Sequence, residues 1–144
     1  MNTITVRPLE KYMLNTIRFE KRDEEIKQHL DALLQSEDAR LFGAVLDDRL
    51  IGIGGIWKFG YVHGEWGMWL TPEMRAHPLW IVKTCRRYIH NIAKEMDIQR
   101  IIVLVNTKKS EAYKFAWNLG FNKCYPRTVI VDDAEYHVLT QMVN

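Results

Sequence analysis

At 144 residues, 47% of them apolar, the chain is long enough for one domain with its own core and needs no staple. A net charge of +2 is too small to argue by itself for nucleic-acid binding. No window approaches the ~20 apolar residues of a membrane span, and residues 1–7 lack the apolar run of a secretory signal.

Cys85 and Cys124 stand alone, with no C-x-x-C pair and no zinc spacing among Cys and His. They read as two reduced, partly buried thiols in a soluble, cytoplasmic protein.

Residues 3–7 alternate and predict a strand that Pro8 ends, with a helix opening at the proline. Leu9, Met13 and Ile17 recur at helical spacing and predict that first helix. After charged residues 20–25, a second helix is predicted over 23–34, with Ile26, Leu30, Leu33 and Leu34 facing inward. Asp23, Glu24 and Glu25 suit the positive end of its dipole. Residues 40–46 and 49–59 flank Asp47-Asp48 as a hairpin. Gly52, Gly54 and Gly55 in its second strand predict a bulge or a close backbone approach. A third strand, 61–70, ends at Thr71-Pro72, and 73–78 reads as a loop. A long helix then runs to about Met96 with Val82, Cys85, Ile89, Ile92 and Met96 as its apolar stripe.

Residues 101–105 are a continuous, mostly β-branched run that predicts a strand buried on both faces. Asn106 and Thr107 offer short polar side chains where a helix can begin. The helix predicted over 110–119 keeps Ala112, Phe115, Ala116 and Leu119 on one side. Gly120 stops it in a left-handed cap and Phe121 opens the next apolar segment. Residues 128–131 and 136–143 form a last hairpin across Asp132-Asp133.

The unit RIIVLVNTKKSEAYKFAWNLGF resembles the last strand–helix–strand of the GNAT superfamily of N-acetyltransferases, which often reads N-x-x-S/A-x-x-L/F-Y-x-x-x-G-F. Ala112, Phe115, Gly120 and Phe121 fit. The family's general-acid tyrosine falls at Ala116 and its asparagine at Lys109. The whole order of elements is similar to the GNAT layout. The resemblance implies one α/β (α+β) domain over 1–144, a mixed, mostly antiparallel central sheet with helices on both faces, and acetyl transfer from acetyl-CoA to an amine. The cofactor would lie where the strands of residues 61–70 and 101–105 part.

It also implies a pyrophosphate cradle, R/Q-x-x-G-x-G/A, at Arg75–Trp80. Free N–H groups at a helix start make an anion site. Arg75 fits the pattern. Pro78 replaces the first glycine and Trp80 the small residue, so either a modified cradle uses Arg75, His77 and Lys83, or the proline merely starts a helix and the tryptophan packs on the core. Leu70, Thr71, Leu79, Asn106 and Lys109 complete the cofactor-binding set, with a backbone N–H near residues 69–71 polarising the thioester. Asn106 and Lys109 otherwise cap and solvate the short helix.

Glu65 is the acid of the third strand and the candidate base, with His63 at the same parity and Trp66 and Trp69 beside it. Its bland alternative is a solvent-facing strand residue. Tyr113 is the nearest phenol to the missing acid, and solvent is its substitute. Tyr125 and Tyr136 are weaker candidates. Lys83, Arg86, Arg87 and Lys94 form an acid-free helix face, read as solvated or as meeting an acidic partner. No metal is expected. The acceptor is a small-molecule or protein amine, and a homo-oligomer is open. The competing reading is an inert GNAT-like protein acting by protein binding. Residues 68–97 and 105–121 also loosely resemble acetyltransferase-like proteins of short-tailed phages, which would place it in a virion. Nucleic acid is the weakest partner.

Overall fold

The computed structural model describes residues 3–143, which fall into two compact units: residues 3–57 with Gly67–Pro78, and Lys58–Trp66 with residues 79–143. No helix among the described residues is long and apolar enough to cross a membrane.

In the first unit β1 (Thr5–Pro8), β2 (Ala39–Leu46) and β3 (Arg49–Phe59) pair antiparallel in that order. β1 begins two residues later than predicted and retains Pro8, opposite Phe42. A strand with one free edge tolerates the missing N–H. The turn between β2 and β3 is the predicted Asp47-Asp48, both at positive φ (51° and 63°), which gives the type I′ shape that suits strand twist. Ala44 faces Gly52 while Val45 faces Leu50, so Ile51 is the extra residue of a bulge. A Cβ on Gly55 would meet Leu41 Cδ2 at 2.1 Å and the Arg40 carbonyl at 2.9 Å. The strand glycines therefore mark both a bulge and a close approach.

The predicted first helix is only a 3-10 helix, Lys11–Thr16. The Thr16 hydroxyl donates to the Met13 carbonyl at 2.7 Å and accepts from the Leu50 N–H at 2.9 Å, tying the segment to β3 and competing with further helix. Leu9, Met13 and Ile17 are nevertheless buried, in a cluster with Leu14, Leu30, Val45, Leu50 and Ile53. α1 (Asp23–Leu34) has the predicted bounds and buries Leu30 completely. Part of the expected 73–78 loop is a one-turn helix, α2 (Pro72–Arg75). Thr71 caps it: its hydroxyl accepts from Met74 N–H at 3.3 Å and donates to the Ile51 carbonyl at 2.7 Å. Arg49 and Glu73 then join α2 to the start of β3 by a two-pronged ion pair, its Nη2–Oε1 contact 2.7 Å.

In the second unit β4 (His63–Leu70) enters with its first residues. There it pairs parallel with β5 (Arg100–Asn106), which pairs antiparallel with β8 (Ala134–Met142). β6 (Lys123–Cys124) and β7 (Val129–Val131) pair antiparallel with β8. The chain thus has a mixed, mostly antiparallel sheet with helices, an α/β fold. β4 starts at His63 rather than 61 because Gly60, at φ +64°, turns the chain first. On β5 only Ile101 and Val105 are fully buried, so one face is covered and the other half-open, not both buried as predicted.

α3 (Pro78–Glu95) buries Ile81, Cys85, Ile89 and Ala93. Val82 and Ile92 are half-buried, so the stripe is turned from the predicted one. α4 (Ser110–Asn118) ends in the predicted glycine stop: Gly120 N–H donates to the Trp117 carbonyl at 3.0 Å, Phe121 N–H to the Ala116 carbonyl at 3.1 Å, and Gly120 sits at φ +107°. Asp132 and Asp133, at φ 48° and 66°, make the second type I′ turn, and β8 starts at Ala134, earlier than predicted. Cys85 is buried and burial pushes its thiol up to about 12. Cys124 is exposed, not part-buried, because β6 carries little over it; both are free thiols.

Candidate active site

The register of the second unit decides which side chains share a face. Glu65 lies opposite Ile102, Ile102 opposite Thr140, Leu104 opposite Val138 and Asn106 opposite Tyr136. Facing partners point the same way, so these residues share one face of the sheet. Gly64, Ile101, Val105, His137, Leu139 and Gln141 point the other way. That second face carries the helices. His90 of α3 bonds Gln141 (Nε2 to Oε1, 3.0 Å), and the Tyr113 ring of α4 stands edge-on to His137, centroids 5.4 Å apart.

Glu65 therefore lies half-buried on the face away from α3 and α4, together with His63, which stacks on Phe59 at 5.7 Å. The expected parity of Glu65 and His63 holds. Trp66 does not flank Glu65: strand alternation turns it to the opposite face, where it is 2% exposed. Tyr113 is on the helix-covered side, between His137 and the stacked ring of Trp117 at 6.2 Å. It leans over β8, which is one strand beyond β5 as seen from β4. Glu65 and Tyr113 are thus not brought together. Ala116, at the position of the resemblance's tyrosine, is 5% exposed and offers no hydroxyl.

The parallel ladder covers three pairs and ends at Glu65–Ile102, while β5 stays paired with β8 through Asn106. Asn106 does not cap α4. Its Oδ1 accepts from Lys108 N–H at 2.9 Å and its carbonyl accepts from Lys109 N–H at 3.0 Å, a local turn before the helix, with Lys109 as the cap residue. Tyr125 is engaged by Arg100, whose guanidinium bonds its hydroxyl and lies 5.4 Å over its ring. Tyr136 is half-buried opposite Val129.

Of the cradle segment, the first unit holds Arg75, His77 and Pro78. Arg75 Nη2 donates to the Leu70 carbonyl at 3.1 Å, and His77 N–H donates to the Met74 carbonyl at 3.0 Å; both residues are exposed. Thr71 N–H is bound to the Ile51 carbonyl at 3.1 Å, which removes it from the expected thioester-polarising donors. In the second unit Leu79 is 86% exposed, Trp80 half-buried and Lys83 exposed one turn further on. Pro78 is the first residue of α3, where its missing N–H breaks no helical bond. Helix geometry leaves the N–H groups of Leu79 and Trp80 without intrahelical acceptors.

Sequence reasoning overlooked the polar group at the centre of the helix-covered face. Gln141 is 6% exposed; it accepts from His90 and donates to the Leu119 carbonyl at 3.4 Å. An amide inside the apolar run VLTQMV was the available signal.

No family model matches the sequence, and no curated protein sequence matches it. Solved structures do. Aminoglycoside acetyltransferase AAC(6')-Ib in complex with coenzyme A superposes with a TM-score of 0.72 at 14% identity, over 97% of this chain and 95% of that one. The same enzyme with coenzyme A and kanamycin gives 0.70 at 15% identity, over 97% and 95%. The dodecameric spermidine N-acetyltransferase of Vibrio cholerae gives 0.68 at 14% identity, over 96% and 93%. With nearly the full length of both chains aligned, this chain has the fold of the GNAT acetyltransferases.

Proposed function

We propose that the chain transfers an acetyl group from acetyl-CoA to a small-molecule amine. The observation that carries this reading is the near-complete superposition on an aminoglycoside acetyltransferase that holds coenzyme A, in one of its two structures together with an amine acceptor, kanamycin. The residues present fit a reduced cofactor site. α3 is an 18-residue helix whose N-terminal dipole and two remaining N–H donors, at Leu79 and Trp80, suit a pyrophosphate, with Lys83 adding charge one turn on. Asn106 and Lys109, in the same unit as Leu79, Trp80 and Lys83, are the further cofactor residues that the resemblance implies there.

Acetyl-CoA supplies the activated acyl group. Glu65 takes the proton of the attacking amine, directly or through one water, on the half-open face it shares with His63. Acyl transfer forms the amide C–N bond and breaks the thioester C–S bond. The departing thiolate takes its proton from solvent, because Tyr113 is turned to the opposite face.

A second reading has its own support: an inert descendant of the fold that binds protein. Pro78 removes one pyrophosphate donor, and Ala116 lacks the acid hydroxyl. Titration calorimetry with acetyl-CoA, and CoA as control, separates the two. Micromolar binding, followed by product in a screen of polyamines and aminoglycosides, supports transfer. Absence of binding at millimolar cofactor overturns it. Pro78→Gly with Trp80→Ala strengthens CoA binding if crowding at the helix start limits the site; no gain places the limit elsewhere.

A further inference from the structure

In the first unit a hollow of about 160 Å³ opens where β1, the 3-10 helix and the β2–β3 turn meet. Its floor is apolar and belongs to the core: Met13, Val45 and Leu50 are 4%, 8% and 2% exposed. Its rim carries two charges of opposite sign, Arg7 and Asp48, both exposed. Arg7 stands opposite Gly43, where an added Cβ would run into Leu50 Cδ1, so Arg7 projects on the core-side face of β1. Asp48 is the second residue of the β2–β3 turn, two residues before Leu50. The two bonds of Thr16 hold the 3-10 helix against β3 and fix the wall between them. Neither charge is used within the chain. Among the described residues the side chains of Arg7 and Asp48 form no ion pair and no hydrogen bond, and the Tyr12 hydroxyl on the same rim makes none either.

We propose that this hollow binds a free apolar α-amino acid about the size of valine or leucine, independently of the acetyl-transfer reading. Charge selects the class. A zwitterion brings a carboxylate to Arg7, whose planar fork suits it, and an ammonium to Asp48, with no net charge of its own. A simple anion meets Arg7 but is repelled by Asp48, and a simple amine the reverse. The floor selects the side chain: three core residues offer dry contact to a branched alkyl group and no partner to a polar one. Size sets the bound. The volume equals about five waters at ~30 Å³ each, and covalently joined atoms pack more tightly, so leucine fits and tryptophan does not. Each charge has a use by itself: an inward-facing cation blunts an edge strand, and aspartate suits the positive φ of the turn. Neither use accounts for both side chains standing unpaired over one apolar hollow.

Titration calorimetry on the full chain without acetyl-CoA tests it, with L-leucine as the probe up to about 20 mM. Leucine binds with a dissociation constant on the order of 1 mM or tighter. Leucinamide, which lacks the carboxylate, and isocaproate, which lacks the ammonium, each bind about tenfold or more weakly than leucine. Glycine and tryptophan bind more weakly too, the first for want of a side chain and the second for want of room. Arg7→Gln and Asp48→Asn each weaken leucine by about tenfold or more. Asparagine accepts the positive φ of position 48 as aspartate does, so the turn survives. Far-UV circular dichroism confirms that each variant is folded. Leucine that fails to bind at the highest concentration overturns the proposal. So does a leucine affinity that either variant leaves unchanged, which would place the amino acid elsewhere on the chain. Leucinamide and isocaproate binding as tightly as leucine would overturn it as well.

Discussion

A Cβ on Gly120 would lie 2.8 Å from Oε1 of Gln141, the same oxygen that accepts from His90. The α4 stop and the buried amide are therefore fitted to each other. Gly120→Ala meets two costs: strain at φ +107°, and displacement of Gln141 from its bonds to His90 and the Leu119 carbonyl. The first is about 1–2 kcal/mol. In urea unfolding Gly120→Ala should lose at least that much, and less in a Gln141→Ala background, where the clash is gone. Full additivity of the two substitutions would show that they do not touch.

The same residue shows what a sequence reveals. A glycine closing an amphipathic run has few structural meanings, so the α4 stop was legible, as were both Asp-Asp turns between apolar strands. The 3-10 helix was not. Leu9, Met13 and Ile17 do face the core, but the hydroxyl of Thr16 ties the segment to Leu50, a partner 34 residues away. Thr71-Pro72 was read as a strand stop when it is also a helix cap followed by a first-turn proline. At the candidate site, the shared face of Glu65 and His63 followed from strand parity alone. The direction of Tyr113 did not, because it depends on packing against His137, which no local pattern encodes.

The two thiols should differ in reactivity. Cys85 is buried, and burial holds its pKa at about 12, so little thiolate forms near pH 8. Cys124 is exposed. Iodoacetamide at pH 8 should label one cysteine in the native protein and both in guanidinium, with peptide mapping assigning the native adduct to Cys124. Native labelling of Cys85 would mean that α3 opens on the timescale of the reaction.

Acid should weaken the Arg49–Glu73 clasp. The hydrogen bonds from Arg49 hold the Glu73 carboxyl below the ordinary carboxylate range. A depressed folded pKa contributes stability above the unfolded value, and loses it as pH falls through the folded one. Asp23, held down chiefly by the Phe19 N–H, behaves likewise. Wild type should melt higher than Glu73→Gln at pH 7. The difference should close below about pH 4, as Glu73 protonates. A melting-temperature gap that is the same at pH 7 and pH 3 would mean that the ion pair contributes nothing through charge.

The division of the unit's sheet into two faces makes the sharpest claim about catalysis. Glu65 stands opposite Ile102 on the half-open face, whereas Tyr113 lies against His137 on the helix-covered one. If acetyl transfer occurs, Glu65→Gln should lower kcat/KM by about a hundredfold or more, the usual effect of removing a general base. As a near-isosteric change it should leave the chain folded, which far-UV circular dichroism checks. Tyr113→Phe should leave kcat/KM within about twofold, since the proposed mechanism passes no proton through its hydroxyl. Dependence on Tyr113 with indifference to Glu65 would reverse the assignment and move the chemistry to the helix-covered face. Loss in both variants, with folding intact, would mean that the two faces cooperate in the acetyl-transferring state.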